Sequence, residues 1–195
     1  MVADWLKISR TPAREGLRRL ESDGLLTSHP RRGLVVATLD EGAIHELYTA
    51  REILESSVAG MAARYATDAE ISSLRHLVDT EATIVDTPET MYEHNRVFHQ
   101  SIYLAARNRY LLKFLLMISD TLSTHRSVST LVSQQRRDEV LQEHRELVRA
   151  IAQRDESAAR LAAAKHIQGA LRARVAVQRE QVAGKMSENA SIAHT

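Results

Sequence analysis

Nine histidines occur among 195 residues, and three of them sit where an imidazole would face inward. His99 follows Phe98 and shares a helical face with Asn95, Ile102 and Tyr103. His144 lies among Val140, Leu141, Leu147 and Val148, and His166 among Ala162, Ala163 and Ala170, with Ile167 nearby. A buried imidazole needs a polar partner. A single inward histidine usually finds one within the core. Three on separate helices of one bundle can instead be satisfied together by a cation, and neutral imidazole suits Zn(II), Ni(II) and similar borderline ions. Asn95, one turn before His99, could add an oxygen ligand. Periodicity alone leaves both readings open. Of the other six, His29 falls in a basic turn and His194 in the C-terminal tail, while His45, His76, His94 and His125 read as solvent-facing.

A second group of residues points to a different chemistry. Arg10, Arg14 and Arg18 are spaced by four, which puts them on one face of a helix, whereas Leu17 and Leu20 lie on another. Ser9 can cap that helix, Pro12 suits its first turn, and Gly24 can close it. A capped helix with an arginine face offers phosphates and guanine edges the donors they accept. The alternative is a solvated basic face. Leu25–Ser28 and Leu34–Val36 are β-prone runs around the basic turn His29-Pro30-Arg31-Arg32-Gly33, which predicts a hairpin.

These residues must be held by the elements around them. Val2–Lys7 reads as the end of a helix leading into a turn at Ile8-Ser9, with Trp5, Leu6 and Ile8 expected beneath the next helix. Gly16, inside that next helix, would allow close packing on the preceding one. Ala37–Gly42 is a short polar linker. Beyond it the apolar residues follow three-and-four spacing with one proline, Pro88, and six helices are expected: to Ala66, from Thr67 to Val85 behind a capping box, from Thr87 to Ala106, from Arg109 to Ser129, from Gln134 to Arg154 and from Glu156 to Gln181. The fourth carries LLKFLLMI and is expected to be central or at a subunit interface. Residues 182–195 lose the pattern and read as a disordered tail. The predicted fold is mainly all-α: a partial winged helix-turn-helix over residues 1–37 and a six-helix bundle over 42–181.

Composition narrows the function classes. Hydrophobic content of 44% and charged content of 26% describe an ordinary globular chain. No apolar run is long enough to span a bilayer, so no membrane partner is expected. There are no cysteines, which excludes disulfides and thiolate metal sites and suits a reducing cytoplasm. Net charge is only +1, yet residues 1–37 hold seven Lys and Arg against four Asp and Glu.

The run SRTPAREGLRRLESDGLL…RRGLVV closely resembles the DNA-binding half of GntR-type transcription regulators. NRVFHQSIYLAARN, EHRELVRAIAQRD and AARLAAAKHI resemble, in order and spacing, three motifs of the all-helical FCD effector domain found in the FadR branch of that family. The resemblance implies a homodimer that places two recognition helices on double-stranded operator DNA. Arg10, Arg14, Arg18 and Arg32 would contact bases or phosphates, Thr11 a phosphate, and Gly33 would let the wing approach the minor groove. It implies a divalent metal, Zn with Ni or Mn as alternatives, held by Asn95, His99, His144 and His166. It also implies a small carboxylate effector, with YTAREILE nominating Arg51 and with Tyr103 and Arg107 lining the pocket. An intrahelical pair with Glu55 is the other reading of Arg51.

The sequence departs from the family pattern in places. Asn95 stands where aspartate is commoner, removing a negative charge, and Lys7 stands where the turn usually has glycine. The first helix of the head and an arginine of the second are not found, and 37 residues fall below the roughly 40 that hold a core unaided. A headless effector-binding or dimerisation protein is therefore one alternative. A histidine-ligated metal enzyme is another, disfavoured because no general base adjoins the histidines: Glu143 points about 100° away from His144.

Overall fold

The computed structural model describes residues 2–22, 26–36, 40–81, 83, 87–123 and 133–192. In the N-terminal part, α1 (Val2–Leu6) and α2 (Arg10–Ser22) precede strands β1 (Leu26–His29) and β2 (Gly33–Val36). The strands pair antiparallel, with Leu26 opposite Val36 and His29 opposite Gly33. Two devices close the hairpin: Gly33 adopts φ +73°, and the His29 ring accepts from the Arg31 N–H at 3.2 Å. The turn before α2 runs through Lys7 at φ +54°, a left-handed conformation that glycine would adopt without strain.

Packing in this head differs from expectation. Trp5, Leu6 and Ile8 do not lie beneath α2; Trp5 is 82% exposed. On a helix as short as α1 only one side faces inward, and it carries Ala3, buried with Ala13 of α2, which leaves Trp5 about 200° away. Gly16 is not a packing contact either, because a Cβ there would meet nothing within 4 Å.

The body is the expected set of six helices: α3 (Glu41–Tyr65), α4 (Asp68–Glu81), α5 (Pro88–Ala105), α6 (Arg109–Ser123), α7 (Gln134–Ala152) and α8 (Glu156–Ile192). Their starts are set by local capping. Asp40 accepts from the Ala43 N–H at 2.7 Å, so the helix begins inside the expected linker. Thr67 and Glu70 form the expected capping box, Thr87 and Thr90 another, and Ser133 caps α7. Arg107 and Arg154 adopt left-handed φ at the turns after α5 and α7, and both reach back to one corner: Arg107 pairs with Glu70, while Arg154 donates to the Ala66 carbonyl and to Asp68. Arg107 thus braces the α3–α4 corner and is exposed, contrary to its expected place in a pocket.

The core is built around α3 and α8, which lie together with small residues between them: Ala59, Ala62 and Ala63 from α3, and Ala159 and Ala163 from α8. Phe98, Leu74, Leu115 and Ile151 fill it from α5, α4, α6 and α7. A smaller cluster of Ile44, Tyr48, Ile167 and Ala170 continues it toward the start of α3.

Three expectations about the body change. Of the two places expected for the apolar fourth helix, the structure removes the central one and leaves the subunit interface, since Leu115 and Ile118 are buried while Tyr110 and Met117 are 62% and 57% exposed. An amphipathic helix at the rim meets the core with one side only. The chain does not lose regular structure at residue 182, because α8 continues to Ile192; the stretch contains no proline, so the hydrogen-bond ladder propagates after the apolar pattern fades. The second helix ends at Glu81. Gly24, His125 and His194, with the segments 84–86 and 124–132 assigned to helix ends and loops, lie outside the described residues.

A three-histidine centre and a basic groove

Three helices bring the inward histidines together: His99 from α5, His144 from α7 and His166 from α8. All three are buried, and one ring nitrogen from each lies within 4.8 Å of the other two. The ring centroids are 4.8–5.6 Å apart. Phe98 stacks on His144 at 4.0 Å and walls off one side.

Each ring is oriented by a carboxylate on its outer nitrogen. The Nδ1 of His99 lies 3.0 Å from Glu55, that of His144 2.8 Å from Glu81, and that of His166 2.8 Å from Glu143. An ionised carboxylate only accepts, so each Nδ1 carries the proton and each Nε2 is left as a lone pair. Those lone pairs face one another: the Nε2 atoms of His99 and His166 are 3.2 Å apart, and that of His144 is buried without a hydrogen-bond partner. Three converging lone pairs repel unless a proton or a cation lies among them. The donor set therefore fits a divalent borderline metal.

Charge in the surrounding shell is balanced in pairs. Glu55 is buried, which by itself would raise its carboxyl, but the Arg51 guanidinium and then His99 hold it well below the usual range. Burial likewise acts to raise Glu143, and bonds from His166 and Arg136 bring it down to about 2. Burial lowers His99 and takes His166 down to about 3, so both rings stay neutral at physiological pH, the form a metal needs.

The remaining predicted residues are placed as follows. Arg51 makes the intrahelical pair with Glu55 and is also half-buried beside Tyr48, its guanidinium 5.7 Å from the ring centre. Tyr103 is buried and engages Glu55 and Arg51, with its ring 6.1 Å from that of His99. Asn95 is half-buried on α5, one turn before His99. His94, expected in solvent, is half-buried, and its Nε2 lacks a hydrogen-bond partner; burial lowers its pKa while Glu81 opposes that.

Sequence reading missed the orienting acids. Glu55 was legible only as a partner of Arg51. Glu143 diverges from His144 on the helix, and that divergence is what carries it across to His166. Glu81, at the end of α4, gave no sequence signal.

In the head, Arg10, Arg14, Arg18 and Thr11 are exposed along α2, and Arg32 and Gly33 at the hairpin turn. The three α2 arginines border a cavity of about 490 Å³ between α2 and the hairpin, floored by Ala3, Ala13, Leu17 and Leu34. Leu17 thus lies beside the arginines along this groove rather than on a separate side, while Leu20 is not among the lining residues.

Residues 46–169 match the FCD domain, and residues 1–36 match the bacterial regulatory proteins of the gntR family. The chain is an FCD-domain member of the GntR family. It is 34% identical over 120 residues to the Nta operon transcriptional regulator of Aminobacter aminovorans, covering 61% of this chain and 57% of that protein. It is 28% identical over 156 residues to the uncharacterized HTH-type transcriptional regulator YdhC of Bacillus subtilis, covering 78% and 69% respectively. The fold matches that of E. coli McbR/YncC with a TM-score of 0.72 over 92% of this chain and 85% of that one, at 21% identity. This GntR chain thus spans little more than half the length of the first of these relatives. The family is described as bacterial regulatory proteins, and both of these relatives are named transcriptional regulators. None of the described helices is long and apolar enough to cross a membrane.

Proposed function

We propose that this chain is a ligand-responsive transcription regulator of the FadR subfamily, acting in the cytoplasm as a homodimer on operator DNA. Its helical domain holds a divalent metal, with Zn first and Ni or Mn as alternatives. His99, His144 and His166 are its nitrogen ligands and Asn95 an oxygen ligand. The observation that carries this reading is the convergence of three Nε2 lone pairs whose Nδ1 atoms are each committed to a carboxylate.

Bound there, the metal would supply a positive charge for a small carboxylate effector. The chain's own residues do the rest. Arg51, with its Nε committed to Glu55, presents its outer N–H groups as a fork for the effector carboxylate, and Tyr103 closes the same side. Phe98 and the alanine-rich α3–α8 contact exclude water. In the head, Arg10, Arg14, Arg18 and Arg32 meet bases and phosphates, Thr11 a phosphate, and Gly33 lets the turn approach the minor groove. The exposed stripe Tyr110, Phe114 and Met117 on α6 supports self-association through the helical domain.

Thermal unfolding of the chelator-treated chain tests the metal reading. Zn(II) raises the midpoint of the wild type by several degrees and leaves His144→Ala unmoved, because a ligand that binds only the folded state stabilises it. Acetate, lactate or citrate then adds a further shift only when Zn(II) is present. A wild-type midpoint indifferent to Zn(II), Ni(II) and Mn(II) would sink the reading.

A further inference from the structure

Beyond the ligands themselves, one carboxylate in this centre, Glu143, is gripped through both of its oxygens by a single guanidinium. Arg136 lies two turns before Glu143 on the same side of α7 and is only 8% exposed. Its two terminal nitrogens donate to the two oxygens of Glu143, both at 2.9 Å. The Oε2 of Glu143 that accepts from Arg136 also accepts from His166 at 2.8 Å. The pair sits against the backbone of α8 at Gly169: a Cβ there would lie 2.9 Å from both the Arg136 guanidinium and the Glu143 carboxylate. Those are the ends of flexible side chains. An alanine at 169 would therefore be accommodated by the fold at the expense of the pair's position.

We propose that Glu143, gripped by Arg136 in the slot left by Gly169, is the positioning residue for His166 in the three-histidine centre. It fixes the tautomer and aim of His166 and thereby sets how tightly the centre holds its cation. The inference rests on the metal reading above. A carboxylate bonded to the outer nitrogen of a metal histidine orients the ring and raises its basicity, and loss of such a partner lowers metal affinity about 10- to 100-fold. A purely structural ion pair between Arg136 and Glu143 would not reach His166.

The test uses the full chain, stripped of metal with a chelator, with Zn(II) affinity read by competition against a chromophoric chelator. The state of the imidazoles in the metal-free protein is read from their 15N resonances. Glu143→Ala binds Zn(II) about 10- to 100-fold more weakly and leaves His166 a mixture of tautomers, while His99 keeps its own. Gly169→Ala moves both readouts the same way with its metal-free unfolding midpoint within a few degrees of wild type, so it carries the test should Glu143→Ala fail to fold. Glu139→Gln, altering the acid that touches Arg136 from the exposed side at 3.1 Å, leaves both readouts at wild-type values. If wild type binds Zn(II) and Gly169→Ala and every folded Glu143 variant bind within twofold of it with a single His166 tautomer, this inference is overturned and the metal reading stands. If wild type binds no Zn(II), both fall.

Discussion

The head and the helical body solve opposite problems with the same chain. In the head, the buried side chains of the described helices are Ala3 and Ala13, while Trp5, Leu6, Ile8, Leu20 and Leu34 are all more than a third exposed. In the body, six helices enclose a core that includes charged and imidazole groups at 0–5% exposure, among them Glu55, His99, His144 and His166. Among the described elements, α1, α2, β1 and β2 approach only one another. The difference teaches where specificity comes from. On the proposed function the head would read DNA through exposed arginines on a local scaffold, a chemistry that needs little burial. A centre that must strip water from a cation needs several helices to converge, and so needs a core.

The sharpest way to break the comparison is to cut the core. Phe98 is fully buried and stacks on His144, so Phe98→Ala should destabilise the body by about 3–5 kcal/mol in denaturant titration and weaken Zn(II) binding with it. Leu20→Ala in the head should move the same titration by less than about 0.5 kcal/mol, as surface substitutions do. Equal losses at the two sites would show that the head is as tightly packed as the body.

Next comes the reading helix. Arg14→Ala should lower operator affinity by about 1–3 kcal/mol in a gel-shift titration while leaving Zn(II) binding unchanged. Loss of both activities together would deny the two regions their separate roles.

Acid separates the regions by a different route. In the metal-free chain His166 is lowered from 6.5 to about 3 by burial, so between those pH values the unfolded chain takes up a proton that the folded centre refuses. Its contribution is fully present above pH 6.5 and is lost as pH falls toward 3. Glu143, lowered from 4.5 to about 2, adds to the loss as pH falls through that interval. Thermal midpoints of the body should therefore drop between pH 6.5 and 3, and His166→Phe should flatten the upper part of that slope.

The smallest expected effect lies in the turn of the head. Lys7→Gly relieves a left-handed φ of +54° and should raise the head's stability by up to about 1 kcal/mol, seen as slower amide exchange in α2. An unchanged exchange rate would mean that the turn is not what limits the head.

Much of this was legible in the chain, and the reasons are local. Helix starts at Thr67 and Thr87 announce themselves because a cap acts within three residues. The hairpin follows from Gly33 and the β-prone runs beside it. The inward direction of His99, His144 and His166 follows from their apolar neighbours at helical spacing. Exposure of Trp5 was not legible, because it depends on which side of a five-residue helix meets its neighbour. The same holds for α6, where one apolar run supplies both a buried and an exposed stripe.

By itself, then, the sequence determined the helices, the family and the three histidines that would share a core, since capping and periodicity act over a few residues. Only the tertiary structure decided that those histidines meet. It also decided that Glu55, Glu81 and Glu143 take their outer nitrogens, and that Gly169 leaves room for Arg136 to hold one of those acids. These pairings join residues 23 to 63 positions apart, and no periodicity within one helix reports which side chain of another will lie against it.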